Sequence, residues 1–286
     1  MQAYGAIPAL VAKLFYDKPY VVTYGYRYFE HARTKGMQLR PYLFDWRARI
    51  GAKFADRVIV TTSEMASYVE GFVPKERILL IPNGVDTALF RPRDSRPARS
   101  TKVIIHVGRL SPQKNLFMLI DAVTLIREPE VKLVLVGDGE LKAELEDYAA
   151  RKNISFEFMG VVSHEELPGV LNNSDVFVLS SLIEGHPKVL LEAMSCGLPC
   201  VGTDVQGTRD LIRDGETGLL CQLTAEDLAD KIVKVLSNRE LAHRLGRKAR
   251  EFIKENFDLD ALLAREIEAM ALLADRQGFA SMGPGL

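Results

Sequence analysis

The sequence predicts an α/β protein whose C-terminal part is a doubly wound parallel sheet. From about residue 101 onward, short runs rich in β-branched residues alternate with amphipathic stretches. Most of these runs are apolar throughout, which is typical of strands covered on both faces of a parallel sheet. Glycine-containing turns follow the runs, as expected where a parallel strand leads into a crossover helix.

Strands and helices alternate along the predicted C-terminal domain, residues 102–257. The strand sequences are VIIHV (103–107), KLVLV (132–136), ISFEF (154–158), VFVLS (176–180), LPCVG (198–202) and TGLLC (217–221). The helical stretches cover residues 115–126, 140–151, 165–172, 189–195, 208–213, 225–236 and 239–256. This alternation is typical of a complete Rossmann-like domain.

Residues 1–90 predict a partial N-terminal Rossmann-like α/β domain. Its strand candidates are YVVTY (20–24), RVIVT (57–61) and RILLI (77–81), and three strands alone make a poor sheet. The polar, proline-containing stretch RPRDSRPARST (91–101) is predicted to be a linker. A last helix at 258–275 is expected to return toward the N-terminal domain, and residues 276–286 are expected to form a tail.

Composition and charge narrow the function classes. The 286 residues include 37 Lys and Arg against 38 Asp and Glu, which gives a formal net charge of -1, and 47% are hydrophobic. This profile excludes a disordered, collagen-like or disulfide-stapled chain. The near-neutral charge argues against a nucleic-acid partner. Because cysteines are few and no targeting segment or membrane-length apolar stretch is visible, we expect a cytoplasmic protein.

The loops that follow the predicted strands carry the candidate functional residues, because doubly wound sheets bind ligands at the carboxyl ends of their strands. After VIIHV, the sequence GRLSPQKN places Arg109 and Lys114 five residues apart. After KLVLV comes Gly137 in a GDG turn, where glycine lets a ligand approach the backbone. The remaining two loops are EGHPKVLLEAMSCGLP (184–199) and TDVQGTRD (203–210).

The loop that begins at Glu184 is the most informative. Pro187 suits the first turn of a helix, which places His186 near the N-cap. The amides of Lys188 and Val189 are then expected to be free and to point outward at the positive end of the helix dipole.

A second acidic residue, Glu192, lies inside the same predicted helix. Two carboxylates with free amides between them can serve three parts of one ligand: the hydroxyls of a sugar, an anionic diphosphate and the hydroxyls of a ribose. Arg109 and Lys114 supply the cations that a diphosphate needs.

These motifs together resemble the retaining nucleotide-sugar glycosyltransferases of family 4, also called group 1. The resemblance rests on the Glu-x7-Glu spacing from Glu184 to Glu192, with GRLSPQKN, GDGE, IPNGVD (81–86) and AMSCGLPCVGTD, and it runs from about residue 5 to about residue 270. It implies a GT-B-like fold in which the C-terminal domain binds a UDP- or GDP-sugar and the N-terminal domain binds the acceptor.

The resemblance also implies roles for individual residues. Arg109 and Lys114 neutralise the departing diphosphate, Glu184 holds a hydroxyl of the donor sugar, and Glu192 holds the ribose hydroxyls. We take Arg109, Lys114 and Glu184 as the catalytic candidates. The donor-binding candidates are Gly108, Gly137, Gly185, His186, Lys188, Val189 and Glu192. For His186, a sugar contact and plain helix capping remain open.

Retention implies that the sugar leaves and arrives on the same face, with a leaving-group phosphate oxygen taking the acceptor's proton. No metal and no further cofactor are expected. The Asp-x-Asp at 258–260 is interpreted as a helix cap. The stretch after Gly160 is expected to meet the base, and His106 and His164 are interpreted as structural.

Two departures from the family fall on the acceptor side. The family's opening strand and glycine-rich loop are not found before residue 1, and the position of a family histidine falls on Gly25 or Tyr26. We therefore expect an exposed sheet edge. A homodimer or a separately encoded partner chain would cover this edge, and without such cover the protein would be insoluble. A second interpretation follows: a non-catalytic or split nucleotide-sugar-binding subunit that needs another chain for turnover. A dehydrogenase is disfavoured because no Gly-x-Gly-x-x-Gly follows a strand.

A basic, aromatic segment at residues 27–57 has two interpretations. It carries eight Lys and Arg against three acidic residues, a net of +5, with interleaved Tyr, Phe and Trp. Such a segment can bind an anionic membrane surface peripherally, at the inner face of the membrane. It can equally be a solvated amphipathic helix with its aromatic residues in the core. The acceptor, a glycan or a glycolipid, stays open.

Overall fold

The structure, a computed structural model, describes residues 2–24, 40–93, 100–127 and 129–275 of the chain. It divides into two compact units. The first unit consists of the described residues up to Asn83 together with those from Asp260 onward, and the second unit runs from Gly84 to Leu259. Each unit has its own parallel sheet and its own hydrophobic core.

Helices and strands alternate along the described chain. Up to residue 83 they are α1 (Gln2–Tyr16), β1 (Val21–Tyr24), α2 (Arg40–Phe54), β2 (Arg57–Val60), α3 (Ser63–Glu70), a 3₁₀ turn (Lys75–Arg77) and β3 (Ile78–Leu80). From residue 102 they are β4 (Lys102–Val107), a 3₁₀ turn (Pro112–Lys114), α4 (Leu116–Leu125), β5 (Val131–Val136), α5 (Lys142–Arg151), β6 (Phe156–Gly160), α6 (Leu167–Asn172), β7 (Val176–Leu179), α7 (Lys188–Ser195), β8 (Cys200–Thr203), α8 (Gln206–Arg209), β9 (Leu219–Cys221), α9 (Ala225–Ser237), α10 (Arg239–Asn256) and α11 (Leu259–Asp275).

The sheet of the first unit has the order β1-β2-β3 among the described residues, and all its strands are parallel. Val58 and Ile59 point to opposite faces, as successive residues of a strand do. Val58 packs in a core with Ala48 and Ala52 of α2. Ile59 packs with Leu262 of α11. The three runs predicted as strands in this part of the chain are therefore confirmed.

The basic segment 27–57 lies partly outside the described residues, as do Gly25 and Tyr26. In its described part, Trp46 on α2 is 60% exposed. Arg49 instead pairs with Asp45, with 2.8 Å between Nε and Oδ2, and its guanidinium lies 5.3 Å from the centre of the Tyr68 ring. None of the helices in the described ranges combines the length and apolar character that crossing a bilayer requires.

The second unit is a doubly wound sheet with the order β6-β5-β4-β7-β8-β9 among its described residues, and every pairing is parallel. Numbered from β4, this is the Rossmann order 3-2-1-4-5-6. Both faces are covered. Ile104 lies in a core cluster with residues of α4 and α9, and its neighbour Ile105 lies in another with residues of α7 and α10. The α/β, Rossmann-like fold class predicted for this part of the chain is confirmed.

Several elements differ from their predicted bounds, among them β6 and α8. The sixth strand of the chain, β6, begins two residues later than predicted, at Phe156, because it is an edge strand whose residues alternate between half-buried and exposed. The helix predicted at 208–213 is instead a single turn, α8, that begins at Gln206 and ends at Arg209. It ends there because Leu211 and Ile212 turn into the core, where each is 1% exposed.

Residues 84–93, here called the strap, belong to the second unit, although the predicted boundary lies after residue 90. The Arg250 guanidinium donates hydrogen bonds to the carbonyl oxygens of Thr87 (2.9 Å) and Phe90 (2.7 Å). The amide of Arg93 donates to the side-chain oxygen of Asn172 (2.9 Å). These hydrogen bonds fasten the strap before residues 94–99, which lie outside the described chain.

Candidate functional site

The centre of the second sheet is where its strand order reverses, between β4 and β7. Ligands of doubly wound sheets bind in the crevice at this reversal, outside the carboxyl ends of the strands. The chain leaves β4 at Val107 and enters a first loop (108–115), and it leaves β7 at Leu179 and enters a second loop (180–187). Candidate residues that lie 70 positions apart in sequence, Lys114 and Glu184, thereby reach one edge of the sheet.

Hydrogen bonds fasten the two loops to each other. The Leu182 amide donates to the Gln113 carbonyl (2.9 Å), and the Gln113 side chain donates to the Ile183 carbonyl (2.8 Å). The Ser180 hydroxyl donates to the Lys114 carbonyl (2.8 Å). Because backbone groups of both loops are paired, the side chains that the loops carry are held at fixed positions.

Lys114 and Glu184 form a largely buried ion pair. The Lys114 Nζ lies 2.5 Å from Glu184 Oε1, and the two side chains are 15% and 7% exposed. The Ser181 hydroxyl donates to the same oxygen at 2.6 Å. Sequence reasoning placed Lys114 beside a diphosphate and Glu184 beside a sugar, and the contact between them was not predicted. Any ligand that binds here meets a cation and a carboxylate side by side.

Arg109 lies at the start of the first loop, directly after β4. Its side chain is exposed and forms no ion pair within the described chain. A guanidinium that is not neutralised by a protein carboxylate is available to a ligand anion.

The amino end of α7 supplies further hydrogen-bond donors. The helix begins at Lys188 and Pro187 is its N-cap, so His186 lies next to the N-cap, as predicted. The first bonded amide of the helix is that of Leu190, which donates to the Pro187 carbonyl at 3.1 Å. Within the described chain, the amides of Lys188 and Val189 have no acceptor, as predicted. Such amides, together with the helix dipole, attract anions.

Glu192 lies one turn further along α7 and is 5% exposed. Burial raises the pKa of its carboxyl from 4.5 to about 7, and the Lys188 ammonium offsets part of that rise. The imidazole of His164 also lies nearby, with its Nδ1 3.8 Å from Oε1 of Glu192. A buried carboxylate with so little compensation costs stability, and such groups cluster at functional sites.

His186 is packed rather than exposed. Its ring lies 5.5 Å from that of Phe257, and burial lowers the pKa of the imidazole to about 4. It is therefore neutral at physiological pH.

Two glycines keep the loops in close contact. Gly137 has a φ of +129°, and a Cβ at this position would lie 2.0 Å from the carbonyl oxygen of Gly108. A Cβ on Gly207 of α8 would lie 2.2 Å from the carbonyl oxygen of Gly185. Backbone therefore packs on backbone at both places, which only glycine permits. Contact of Gly108, Gly137 or Gly185 with a ligand stays a prediction.

Two histidines interpreted as structural from the sequence lie at this site. His106 of β4 is fully buried, its Nδ1 lies 3.0 Å from the Val178 carbonyl, and burial lowers its pKa to about 4. Its Nε2 has no hydrogen-bond partner in the described chain. A Cβ on Gly108 would lie 3.3 Å from this nitrogen. The sequence feature that points to His106 as a site residue is its position as a polar residue inside the apolar run VIIHV.

His164 was the other histidine that sequence reasoning left out of the site. It precedes α6, and the sequence indicates its role only weakly, because its approach to Glu192 depends on the packing of distant segments. Within the described residues, no group of three or more His, Cys, Asp or Glu side chains could hold a metal ion.

Solved structures with the same fold include the crystal structure of Anabaena HepE in complex with UDP and glucose. It superposes with a TM-score of 0.79 at 22% identity and covers 93% of this chain and 74% of HepE. Sucrose-phosphate synthase from Thermosynechococcus elongatus superposes with a TM-score of 0.76 at 24% identity, over 97% of this chain and 78% of that protein. These likenesses confirm the predicted GT-B-like fold.

Relatives in sequence are named as transferases or synthases. UDP-Gal:alpha-D-GlcNAc-diphosphoundecaprenol alpha-1,3-galactosyltransferase of Escherichia coli is 32% identical over 248 residues, which are 81% of this chain and 63% of the relative. N-acetyl-alpha-D-glucosaminyl L-malate synthase of Bacillus anthracis is 28% identical over 76% of this chain and 60% of its own length. The chain thus spans somewhat less than two thirds of either relative.

Two family models match successive parts of the chain. Residues 2–89 match the family described as Glycosyltransferase Family 4. Residues 90–252, more than half of the chain, match the family described as Glycosyl transferases group 1. The chain therefore belongs to the group 1 glycosyltransferases.

Proposed function

We propose that the second unit binds a nucleoside-diphosphate sugar and that the protein transfers the sugar, with retention, to a hydroxyl of a glycan or glycolipid acceptor. One observation carries the proposal: cationic, amide and carboxylate groups gather at the carboxyl edge of the sheet, at its reversal point. Arg109, the Lys114–Glu184 pair, the first amides of α7 and Glu192 make up this group.

The diphosphate is expected to lie between the first loop and the amino end of α7. Arg109 is exposed and unpaired in the described chain, and the amides of Lys188 and Val189 lack acceptors there. Lys114 adds a second cation. These donors match an anion of two phosphates, since charge-assisted hydrogen bonds and helix amino ends both favour phosphate oxygens.

The two acidic residues are assigned to neutral parts of the donor. Glu184 is held by Lys114 and by the Ser181 hydroxyl, so it can accept from a hydroxyl of the sugar in a fixed orientation. Glu192 is a buried carboxylate that receives no hydrogen bond from the described residues, and the vicinal hydroxyls of a ribose can donate to it. His186 is neutral and packed on Phe257, which favours a supporting role over a charged contact with the sugar.

In the transfer, the bond between the anomeric carbon and the diphosphate oxygen breaks while the bond to the acceptor oxygen forms on the same face. The leaving phosphate oxygen takes the acceptor's proton, so neither a metal nor a protein base is required for this step. Negative charge that develops on the diphosphate is stabilised by Arg109 and Lys114. Loss of one such donor costs about 3–4 kcal/mol of transition-state stabilisation in related arrangements.

UDP is the favoured nucleotide, with GDP as the alternative. The Escherichia coli relative is named for UDP-Gal, and HepE was solved with UDP and glucose. The acceptor class follows from the same relative, whose name gives a lipid-linked sugar. A homodimer or a partner chain at the first unit stays a prediction.

Thermal unfolding with UDP, GDP, ADP and NAD tests the donor site. A ligand at about a hundred times its Kd adds about 2.7 kcal/mol, and for a protein of this size the melting temperature should rise by roughly 5–10 °C. Arg109→Ala and Glu192→Gln should abolish the shift. Arg247→Ala and Glu251→Gln, from an exposed surface pair, are the matched controls.

A shift with NAD alone, or a nucleotide shift that survives both site variants, would overturn the donor assignment. Donor hydrolysis or product formation by the purified chain then separates the two remaining functions. Turnover by the purified chain supports the transferase, whereas nucleotide binding without turnover by the purified chain supports a binding subunit that needs another chain.

A further inference from the structure

His164 and Glu192 face each other at a distance suited to a bridging group. Their closest atoms, Nδ1 and Oε1, are 3.8 Å apart, which is too far for a direct hydrogen bond. A hydroxyl oxygen can lie about 2.8 Å from both atoms at once, since two such bonds reach across any gap shorter than about 5.6 Å. A polar separation of this size is typically bridged by a third polar group.

His164 and Glu192 have hydrogen-bonding groups that the described chain does not use. No described residue donates a hydrogen bond to the Glu192 carboxylate, and neither ring nitrogen of His164 has a hydrogen-bond partner there. Glu192 is 5% exposed, whereas the His164 side chain is 48% exposed. The gap therefore has one buried acceptor on one side and one accessible nitrogen on the other.

The His164 ring is held by packing rather than by its nitrogens. Its centre lies 4.9 Å from that of Phe90, a buried residue of the strap. The Phe90 carbonyl in turn accepts from the Ser195 hydroxyl (2.6 Å) and from Arg250 (2.7 Å). Since Ser195 and Glu192 are both on α7, a closed chain of contacts fixes the ring relative to the carboxylate.

The backbone at His164 is fixed as well. The Glu166 amide donates to the Ser163 hydroxyl oxygen (3.3 Å), and that hydroxyl donates to the Glu166 carboxylate (2.8 Å). These two hydrogen bonds, with that from the Glu166 amide to the Ser163 carbonyl (3.2 Å), close a turn around His164 just before α6. Ring and backbone are thus both positioned while the nitrogens stay available.

We propose that His164 is a further donor-contacting residue, and that its Nδ1 and the Glu192 carboxylate hold one ribose hydroxyl of the nucleoside diphosphate between them. The hydroxyl donates to Glu192 and accepts from Nδ1–H of the imidazole. This inference rests on the proposed function, and it adds that His164 makes the site selective for ribose over deoxyribose.

The test compares UDP and GDP with their 2′-deoxy and 3′-deoxy forms by isothermal titration. His164→Phe keeps a ring against Phe90 and removes the nitrogen. His164→Asn keeps a nitrogen near the Nδ1 position and removes the ring. His243→Phe, at an exposed histidine of α10, is the matched control.

We expect the wild-type protein to prefer the ribonucleotide over one deoxy form. His164→Phe should weaken the ribonucleotide by about 3- to 10-fold, the usual range for one hydrogen bond, and leave that deoxy form unchanged. His164→Asn should recover part of the preference, and His243→Phe should behave as wild type.

The inference would be overturned if His164→Phe kept the wild-type preference for the ribonucleotide. It would also be overturned if the variant bound the ribonucleotide and the deoxy form equally more weakly, because loss of a purely structural histidine would affect both affinities alike. Failure of the wild-type protein to bind either ribonucleotide is a different result, which overturns the proposed donor itself.

Discussion

Replacing Glu192 by Gln should stabilise the protein while weakening its nucleotide binding. The carboxyl has a pKa of about 7 in the folded chain against 4.5 in its ordinary state. The folded state therefore holds this proton more tightly than the unfolded state. The unfolded state ionises freely as pH rises, so folding stability should fall between pH 4.5 and 7 and then level off.

The size of the effect follows from the shift. A difference of 7 − 4.5 = 2.5 pKa units corresponds to an upper limit of about 3 kcal/mol above pH 8. Part of this loss has already occurred at pH 5, because the carboxyl is partly ionised in the unfolded state there. The contribution of this group to the wild-type free energy of unfolding should therefore drop by about 2 kcal/mol between pH 5 and pH 8. A neutral glutamine has no such cost, so Glu192→Gln should lose that part of the pH dependence.

Urea unfolding at pH 5, 6, 7 and 8 measures this difference, with Glu251→Gln as the surface control. Lys188 and His164 are the charged or titratable groups nearest the carboxyl, and both are retained in the variant. A Glu192→Gln protein that is no more stable than wild type at pH 8 would refute the reasoning. So would an unchanged slope of stability against pH.

Three further predictions concern the contacts that hold the two loops and the strap in place. Gly207→Ala should lower donor turnover by about a hundredfold, because its Cβ would overlap the Gly185 carbonyl at 2.2 Å and force a shift of the second loop. The costs of Lys114→Met and Glu184→Gln should add up to more than the cost of the double variant, because each single change leaves a buried partner unpaired. A double-mutant cycle of binding and stability measures this difference. Arg250→Met should destabilise the second unit by about 2–4 kcal/mol in urea unfolding, because strap carbonyls lose their donors.

Each of these predictions has a matched comparison. Gly169→Ala places a Cβ in ordinary contact, 3.7 Å from the nearest atom, and should retain turnover. Additive effects of the Lys114 and Glu184 changes would mean that the two side chains are not coupled. Wild-type stability of Arg250→Met, with Arg247→Ala as its surface control, would mean that the strap is held by its apolar residues alone.

The strands could be predicted from the sequence because buried parallel strands are nearly continuous apolar runs. Runs such as VFVLS contrast sharply with the polar loops around them, and the corresponding strand, β7, is buried along its whole length. An edge strand shows the same physics. The strand β6 alternates between half-buried and exposed residues at the sheet edge, so its pattern is weaker and its start was predicted two residues early.

The residue types of the site could also be predicted, because they follow from local chemistry. Pro187 sets the start of α7, and the unbonded amides of Lys188 and Val189 follow from any helix start that lacks a side-chain cap. What the sequence could not provide are contacts between distant segments. Lys114 meets Glu184 across 70 residues, and His164 meets Glu192 only because both pack on elements that the fold brings together.

The helix α7 separates two tasks along its length. Its first five residues carry polar groups that receive no hydrogen-bond partner from the described chain: the amides of Lys188 and Val189 and the carboxylate of Glu192. These groups cost stability until a ligand satisfies them. The last turn is instead anchored, since Arg250 donates to both the carbonyl (2.6 Å) and the hydroxyl (3.1 Å) of Ser195. Because α7 is only eight residues long, this anchor holds the unsatisfied end in place. Loosening the anchor should therefore weaken nucleotide binding, even though Arg250 belongs to α10 and contacts the far end of α7.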